Sequence, residues 1–560
     1  MVKYPNLNDI NFQEKIKELF REYKLRKKKQ SIKDFCYPKK FTFQLPQLFV
    51  ADFLNPNTPY KSLLLYHRIG AGKTCAAIQI AEKWKKHKKI LLIGPASLLT
   101  NFYKELQSKC TGNEYITKQE IDKLNSLSPS SKEYQQIIDT VNERIHEYYE
   151  IYSYHKFVEL YNSKKIKLKN KLMIIDEVHN IISEDGTFYT TFSKYIETAM
   201  NKYNDFRLVL MSGTPIYDKP MELGLIINLL KPNTFENIDD FNDEFLEKKT
   251  EDDNIIYNLK NEAKLSKILQ GHVSYYEGAP AFTFPKTHIK YVKCKMEKFQ
   301  SDAYTSFIEQ EKKGLFLQSP DILKLSNSFM LGGRIISNVA YPNRKIDEKG
   351  LASFTGNYLS WNNLSKYSIK FYKILKKIER CNAPIFVYSN FKEHGGIEDF
   401  KRVLDYHGYS NFLEEGSGKK RYAIWSGDEN IKEKNLIRET INNKDNKDGS
   451  KLKIILGSPA IKEGISLLRI RQVHVLEPYW NMSRLDQVIG RAVRFCSHKD
   501  LPRDERNVSI YIYITIDKSK NNPISIDQQI LSIALRKKIL INQFETVLQK
   551  SAIDYYLFQN

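Results

Sequence analysis

Short, almost uninterrupted apolar runs recur along the chain, each followed by a segment long enough for a helix. SLLLY (62–66), KILLIG (89–94), YEIYSY (149–154), LMIID (172–176) and RLVLMSG (207–213) form the first series. They lack the strict apolar–polar alternation of a sheet with one wet face, so they read as parallel strands buried on both sides. The rhythm returns in PIFVYS (384–389), YAIWSG (422–427), LKIILGS (452–458), VHVLEP (473–478) and VSIYIYIT (508–515). Crossover helices fit between the runs. The pattern predicts an α/β chain with two doubly wound parallel-sheet lobes.

Other stretches break that rhythm and suggest five parts. Residues 1–40 read as a basic helical extension, with Phe12, Ile16, Leu19 and Tyr23 at helical spacing ahead of a basic cluster at 26–29. The first lobe takes 41–231 and carries a polar, helical insert near 111–148. An inter-lobe insertion of mainly helical character takes 232–365, and the second lobe 366–520. Residues 521–560 form C-terminal helices, one long or two shorter. Their apolar stripe holds Ile526, Ile530, Ile533, Leu540, Phe544 and Leu548.

Composition narrows the classes. The 560 residues include 88 Lys and Arg against 66 Asp and Glu, a net charge of +22, so a polyanionic partner is expected. Residues 1–40 alone hold 12 basic and 5 acidic side chains, close to a third of that surplus. An aromatic content of 12% supplies material for packed cores and excludes disorder throughout. The six cysteines (36, 75, 110, 294, 381, 496) show no CxxC pair and no zinc spacing. They predict a reducing compartment, with Cys75 a small buried residue and Cys496 with His498 an ordinary loop. No run approaches the roughly 18 apolar residues of a membrane span, and the N-terminus lacks an apolar signal core.

Three motifs carry chemistry. His67-Arg68-Ile69-Gly70-Ala71-Gly72-Lys73-Thr74 follows a strand and opens a helix. Gly70 and Gly72 let backbone N–H groups approach a phosphate, Lys73 reaches the β/γ-phosphates, and Thr74 suits Mg²⁺. His67 stands where the strict phosphate-loop pattern has Gly. Asp176-Glu177-Val178-His179 ends the strand LMIID, with Asp176 suited to the metal and Glu177 to the attacking water. Ser212-Gly213-Thr214-Pro215 ends the next strand. In the second lobe, Gln487, Arg491 and Arg494 lie in QVIGRAVR, where two arginines three apart at a helix start share a face toward one anion.

In this order, GxGKT, DEVH, SGTP and QxxGRxxR resemble a superfamily-two DExH helicase or translocase. They are most similar to the helicase-like ATPases of large nucleocytoplasmic DNA viruses. That group includes poxvirus nucleoside triphosphatase I, the poxvirus early transcription factor small subunit, and asfarvirus and giant-virus homologues. FLNPNTPYKSLLLYHRIGAGKTCAAI, LMSGTPIYDKP, RIISNVAYP and LEPYWNMSRLDQVIGRAVRFCSHKDLP carry the likeness, which spans roughly residues 41–560. The resemblance implies two RecA-like lobes, with ATP and Mg²⁺ as substrate and cofactor and nucleic acid as partner. Gln47 matches an adenine-reading glutamine. Pro95, Ser97 and Asn101 match backbone contacts of the first lobe. Ser389 and Phe391 open the second lobe's strand–helix motif. Gly464 and Ser466, with His179, Ser212 and Thr214, match residues coupling nucleotide to nucleic acid, although many relatives have Asp or Asn in place of Ser466. For Tyr479 and Trp480 packing is favoured over base stacking.

The expected activity is nucleic-acid-stimulated ATP hydrolysis by a helicase or translocase. ATP would sit between the lobes, with Arg491 and Arg494 supplied from the second. The expected setting is viral transcription, in the virion and host cytoplasm, with viral RNA polymerase or a transcription factor subunit as candidate partners. The alternative is the ATPase small subunit of an early transcription factor, which engages promoter DNA without strand separation. A phosphate-loop kinase needs neither a second lobe nor QxxGRxxR, and a purely structural module would leave the motifs without a role.

Overall fold

The apolar runs become strands for the reason their composition suggests: every residue of β1 (Ser62–His67) and β4 (Lys171–Ile175) is buried. The computed structural model describes residues 3–25, 31–68, 70–129, 131–167, 169–182, 187–251, 254–312, 322–323, 330–462, 465–517 and 524–558. Two compact units emerge. One comprises 1–249, 257–279 and 540–560, and the other 250–256 and 280–539.

The first unit is built on a six-stranded sheet. β2 (Lys89–Gly94), β3 (Tyr149–Ser153) and β5 (Arg207–Ser212) join β1 and β4. After a hairpin of β6 (Leu246–Glu251) and β7 (Asn254–Leu259), β8 (Val273–Tyr276) completes it. The order is β3-β2-β4-β5-β1-β8, and every ladder is parallel. Helix α1 (Phe12–Leu19) belongs to this unit's core, with Phe12 and Ile16 fully buried. Helix α2 (Leu45–Phe53) adds Phe49 and Phe53 to the same cluster. Helix α3 (Lys73–Trp84) buries Cys75, Ala76, Ala77, Ile78, Ile80, Ala81 and Trp84. The basic cluster at 26–29 lies outside the described residues.

Cys75 is buried, as expected, and is also bridged to Cys110, with Cα atoms 5.8 Å apart. The two cysteines stand 35 positions apart, and a helix and a turn between them bring them together in space. The bridge pins α3 to the turn Lys109–Thr111, and closing a loop of this length stabilises by roughly 3–4 kcal/mol in the chain-entropy account.

The second unit's sheet has seven strands. They are β9 (Lys286–Lys295), β10 (Ile385–Tyr388), β11 (Ser410–Asn411), β12 (Arg421–Trp425), β13 (Ile454–Gly457), β14 (Gln472–Val475) and β15 (Asn507–Ile516). Their order is β11-β12-β13-β10-β14-β15-β9, again with every ladder parallel. The stretch read as a helical insertion therefore supplies an edge strand to each sheet, β8 to the first and β9 to the second. The helices that position this unit's loops are α4 (Leu331–Asn338), α5 (Ile369–Glu379) and α6 (Met482–Ala492). The C-terminal stripe forms one helix, α7 (Ile526–Lys550), and its six apolar residues are all buried. No described helix is long and apolar enough to cross a membrane.

Because Phe12 is fully buried within the first unit, Phe12→Ala is expected to cost that unit about 3–5 kcal/mol. Urea unfolding followed by tryptophan fluorescence measures it. A cost below about 1 kcal/mol would show that the N-terminal helix is not part of the core.

Candidate active site

Three neighbouring strands of the first sheet, β4, β5 and β1, deliver the three first-lobe motifs at their C-terminal ends. This is where ligands gather in open α/β sheets. Gly70 (φ 83°) and Gly72 (φ 66°) both take left-handed backbone, and Gly72 caps α3. The left-handed φ of Gly72 favours glycine, and a Cβ there would in addition displace the Gln47 amide. Gln47 is buried: its Nε2 donates to the Gly72 carbonyl (3.1 Å), and its Oε1 accepts from Gln44 N (2.9 Å). Both ends of the amide expected to read adenine are thus engaged within the protein. Ala71 is buried, Thr74 half-buried, and Ile69 lies outside the described residues.

Lys73 opens α3. Its Nζ stands 3.1 Å from Glu177 Oε1 and 3.8 Å from Asp176 Oδ1. Burial is the largest single influence and pulls the ammonium pKa down. Glu177 and Asp176 together outweigh it and hold the group above an ordinary lysine. Glu177 itself sits in the left-handed region (φ 47°, ψ 51°), a conformation that costs a non-glycine residue about 1–3 kcal/mol. The Tyr154 hydroxyl steadies that turn, donating to the backbone carbonyls of Asp176 and Glu177.

From Glu177 the contacts continue across the site. Glu177 Oε2 lies 3.4 Å from His179 Nδ1, which lies 3.1 Å from Ser212 Oγ. Ser212 Oγ in turn accepts from Thr214 N (3.0 Å), and the His179 ring stacks on Tyr217 at 5.5 Å. Lys73, Glu177, His179 and Ser212 therefore form one chain through all three motifs, which the sequence presented as separate. Pro95 is buried at the end of β2, and Ser97 and Asn101 beyond it are exposed.

His67 has a different fate from a phosphate-loop glycine. It is the last residue of β1 and fully enclosed, and burial, then Lys73, pushes its pKa down to about 3. Its Nε2 lies 2.8 Å from Ser274 Oγ on β8, and Ser274 donates to Asp554 from the C-terminal segment. With the Ser274 proton directed at Asp554, His67 donates through Nε2. Tyr275 N also donates to Asp554 (2.8 Å). The Asp554–Ser274–His67 chain thus holds the root of the phosphate loop. Arg68 N reaches the Tyr276 carbonyl in the same strand pair (3.0 Å).

In the second unit, β10 and β14 are neighbours, and the loops at their ends share one buried carboxylate. Glu477 accepts from Ser389 Oγ, Asn390 N (2.5 Å), Asn390 Nδ2 (3.0 Å) and Asn338 Nδ2 (3.0 Å). Burial raises its pKa above the usual carboxylate range, opposed first by Lys370. Ser389, expected to open the second lobe's strand–helix motif, is fully buried, and its hydroxyl donates to Glu477 and accepts from Phe391 N. Trp480 is 4% exposed, stacked on Tyr479 and covered by the Arg334 guanidinium at 4.6 Å, a packed arrangement.

The arginine motif needs one correction. Gln487 and Arg491 lie on α6, but Arg491 is in its last turn and the helix ends at Val493, so Arg494 lies beyond it. Val493 leaves helical geometry (φ −95°, ψ 81°), and the shared face implied by helical spacing is not formed. Burial lowers the Arg494 pKa. The Arg491 carbonyl accepts from Leu467 N (2.9 Å), tying this motif to the stretch holding Ser466. Gly464 lies outside the described residues. Glu477, Asn338, Arg334, Tyr154, Ser274 and Asp554 went unassigned from sequence. Glu477, a carboxylate closing an apolar run, was the one visible signal.

The Asp554 link makes stability depend on pH. Burial raises its pKa to about 7, whereas an unfolded aspartate titrates near 3.9. Folding therefore takes up a proton between these values, and the contribution is lost as pH rises from about 4 to 7. Asp554→Asn cannot take up that proton, while His67 affects both proteins alike. The wild-type Tm is expected to gain on the variant's as pH is lowered through this window. A Tm difference that stays constant from pH 4 to 7 refutes the assignment.

The family comparisons agree with this arrangement. The SNF2-related domain family matches residues 23–344, and the helicase conserved C-terminal domain matches 370–496. A protein of Acanthamoeba polyphaga mimivirus described as an ATP-dependent RNA helicase is 46% identical, with 100% of this chain and 97% of that relative covered. Nucleoside triphosphatase I of Heliothis armigera entomopoxvirus is 26% identical, with 88% of this chain and 76% of the relative covered. The termination factor NPH-I homolog of African swine fever virus is 24% identical, with coverages of 96% and 83%. The chain belongs to the SNF2-related helicases, a family of ATP-hydrolysing enzymes represented here by viral relatives.

Proposed function

We propose that this chain is a nucleic-acid-stimulated ATPase that moves along a strand, with the chain from Lys73 through Glu177 and His179 to Ser212 as its centre. That chain carries the reading, because it joins the phosphate loop to both other motif loops of the first unit. Lys73 rests on Glu177. A bound β/γ-phosphate competes for the ammonium and releases Glu177 to orient and deprotonate the attacking water. Asp176 and the Thr74 hydroxyl are hard oxygen donors near that phosphate position and fit Mg²⁺. When bound there, the ion neutralises charge on the β- and γ-phosphate oxygens. His179 then reports the state of Glu177 to Ser212, which is the proposed coupling to Ser97, Asn101 and the rest of the nucleic-acid face. Arg491 and Arg494 are proposed to stabilise negative charge in the transition state.

The proposed setting is viral transcription, in the virion and the host cytoplasm. Of this setting, the relative named a termination factor supports the transcription role alone; it also supports a second reading in which the ATPase acts on a transcription complex without separating strands. A strand-displacement assay on DNA, RNA and hybrid duplexes distinguishes the two.

Lys73→Ala and Glu177→Gln are each expected to lower kcat by at least about a thousandfold while nucleic-acid affinity survives. Phosphate release with and without single-stranded and duplex DNA and RNA is the measurement. Hydrolysis indifferent to every nucleic acid sinks the motor reading, and undiminished turnover in Glu177→Gln removes it as the base. Arg491→Ala and Arg494→Ala are each expected to reduce kcat about a hundredfold or more with little change in KM. A change confined to KM assigns them to ground-state binding.

A further inference from the structure

The seven-stranded sheet ends in an unusual edge. β9 pairs with β15 along ten positions, and among the described residues no strand pairs with its other side. Its sequence, KTHIKYVKCK, contains four lysines, one histidine and no acid, and residues 286–291 are all exposed. Edge lysines protect a sheet against aggregation, so their presence alone says little. The neighbouring helix changes that reading.

Helix α5 lies against β9. Lys373 Nζ donates to the Lys293 carbonyl (2.6 Å), and Lys377 Nζ sits 4.1 Å above the ring of Tyr511, the β15 partner of Lys290. As α5 advances from 373 to 377, its contacts move from Lys293 on β9 to Tyr511 on β15, which is level with Lys290, so α5 runs antiparallel to the two strands. Lys373, Lys376, Lys377 and Arg380 recur at i, i+3, i+4 and i+7, one face of the helix. The pKa of Lys377 is lowered, first by burial and then by Lys290, Arg380 and Lys373, which places these cations within one another's field.

No counter-charge offsets them. Among the described residues, none of Lys290, Lys293, Lys373, Lys376, Lys377 and Arg380 has a carboxylate within 4 Å, and Glu379, the one acid on α5, binds the Tyr409 hydroxyl and Lys420 instead. Like charges gathered without partners destabilise the fold, which is explicable if a polyanion binds there. The cluster is also separate from the motif loops. α5 precedes β10 and runs opposite to the strands, so Lys377 and Arg380 lie toward the strands' N-terminal ends. Ser389 and Glu477 lie at the C-terminal ends.

We propose that β9 and α5 form a second nucleic-acid contact, a track that grips the sugar–phosphate backbone away from the motor loops. It shares only its ligand class with the proposed function, and it is read without ATP. Contacts of this kind are electrostatic and independent of sequence, and each lost phosphate contact lowers the slope of log K against log salt by about 0.9.

The test is a salt series of anisotropy titrations with a long labelled duplex DNA and no nucleotide. It compares the wild type with the combined Lys290→Gln, Lys373→Gln, Lys377→Gln and Arg380→Gln variant. The variant is expected to bind at least about tenfold more weakly at physiological salt, with a slope smaller by about 3. Its basal ATP hydrolysis should be unchanged, which also reports that it is folded. Replacing the three lysines by arginine should preserve binding. Lys290→Glu, a single change on an exposed strand, should weaken binding several-fold even if the combined variant does not fold. Unchanged affinity and slope in a folded variant overturn the proposal. So does a variant that keeps DNA binding but loses binding to labelled polyglutamate, since an acidic protein segment would then be the ligand. Wild-type binding with no stimulation of ATP hydrolysis would count against the motor reading and leave this one standing.

Discussion

A buried ammonium between two carboxylates is the constraint on which the first unit depends. Lys73 is mostly removed from water, and a lone buried cation there would lose its proton or its position. Glu177 and Asp176 keep it charged, but they can do so only if the strand end turns sharply at Glu177, into backbone that non-glycine residues avoid. Tyr154 holds that turn through the carbonyls of Asp176 and Glu177, and Gly72 supplies the left-handed cap from which Lys73 opens its helix. Each accommodation serves the same contact. The arrangement therefore holds only as a set, and removing either carboxylate would leave a poorly solvated ammonium behind.

The second unit solves a related problem with a buried carboxylate. Glu477 would be prohibitively expensive in an apolar sheet end if it lacked the donors of Ser389, Asn390 and Asn338. Asn338 is itself fixed by Lys370, whose ammonium pairs with Asp527 at 2.6 Å in a wholly buried setting. The network thus joins the start of α7, the end of α4 and the loops after β10 and β14. Such networks are weak sources of net stability but strong determinants of a single geometry, because each unpaired member would be penalised.

How far the sequence disclosed these features follows from the range of the interactions. Most of the ten strands were legible because burial on both faces writes a continuous apolar run, while β3, an edge strand buried only at Tyr149, was legible from its aromatic and β-branched residues. β8 escaped because it is only four residues long, and β9 because its lysines interrupt the pattern. The phosphate loop, Asp176-Glu177 and Ser212 were legible because each motif is local. The chain joining them was not, since His179 meets Ser212 across 33 positions. His67 shows the limit most clearly. As a departure from a glycine pattern it looked like a relaxed position, whereas its partners lie 207 residues away at Ser274 and, beyond that, at Asp554. Arg494 shows the opposite error: the spacing of Arg491 and Arg494 suggests a shared face at a helix start, whereas Arg491 lies in a last turn and Arg494 two residues past the helix.

The charge surplus gains a physical meaning from the same distinction between paired and unpaired groups. Many lysines in this chain are balanced locally, as Lys85 is by Glu82 and Glu114, or Lys171 by Glu150. Balanced lysines contribute little field beyond a Debye length of about 8–10 Å and cannot steer a polyanion. A net charge of +22 therefore overstates the attraction at most of the surface and understates it where cations stand together without acids. On the second unit that place is the α5–β9 face, where the Lys377 ammonium sits over the Tyr511 ring and the fold itself holds the charges in register. Cations held in register lose little side-chain entropy on meeting a phosphate backbone, which separates a binding track from an equal number of scattered surface lysines.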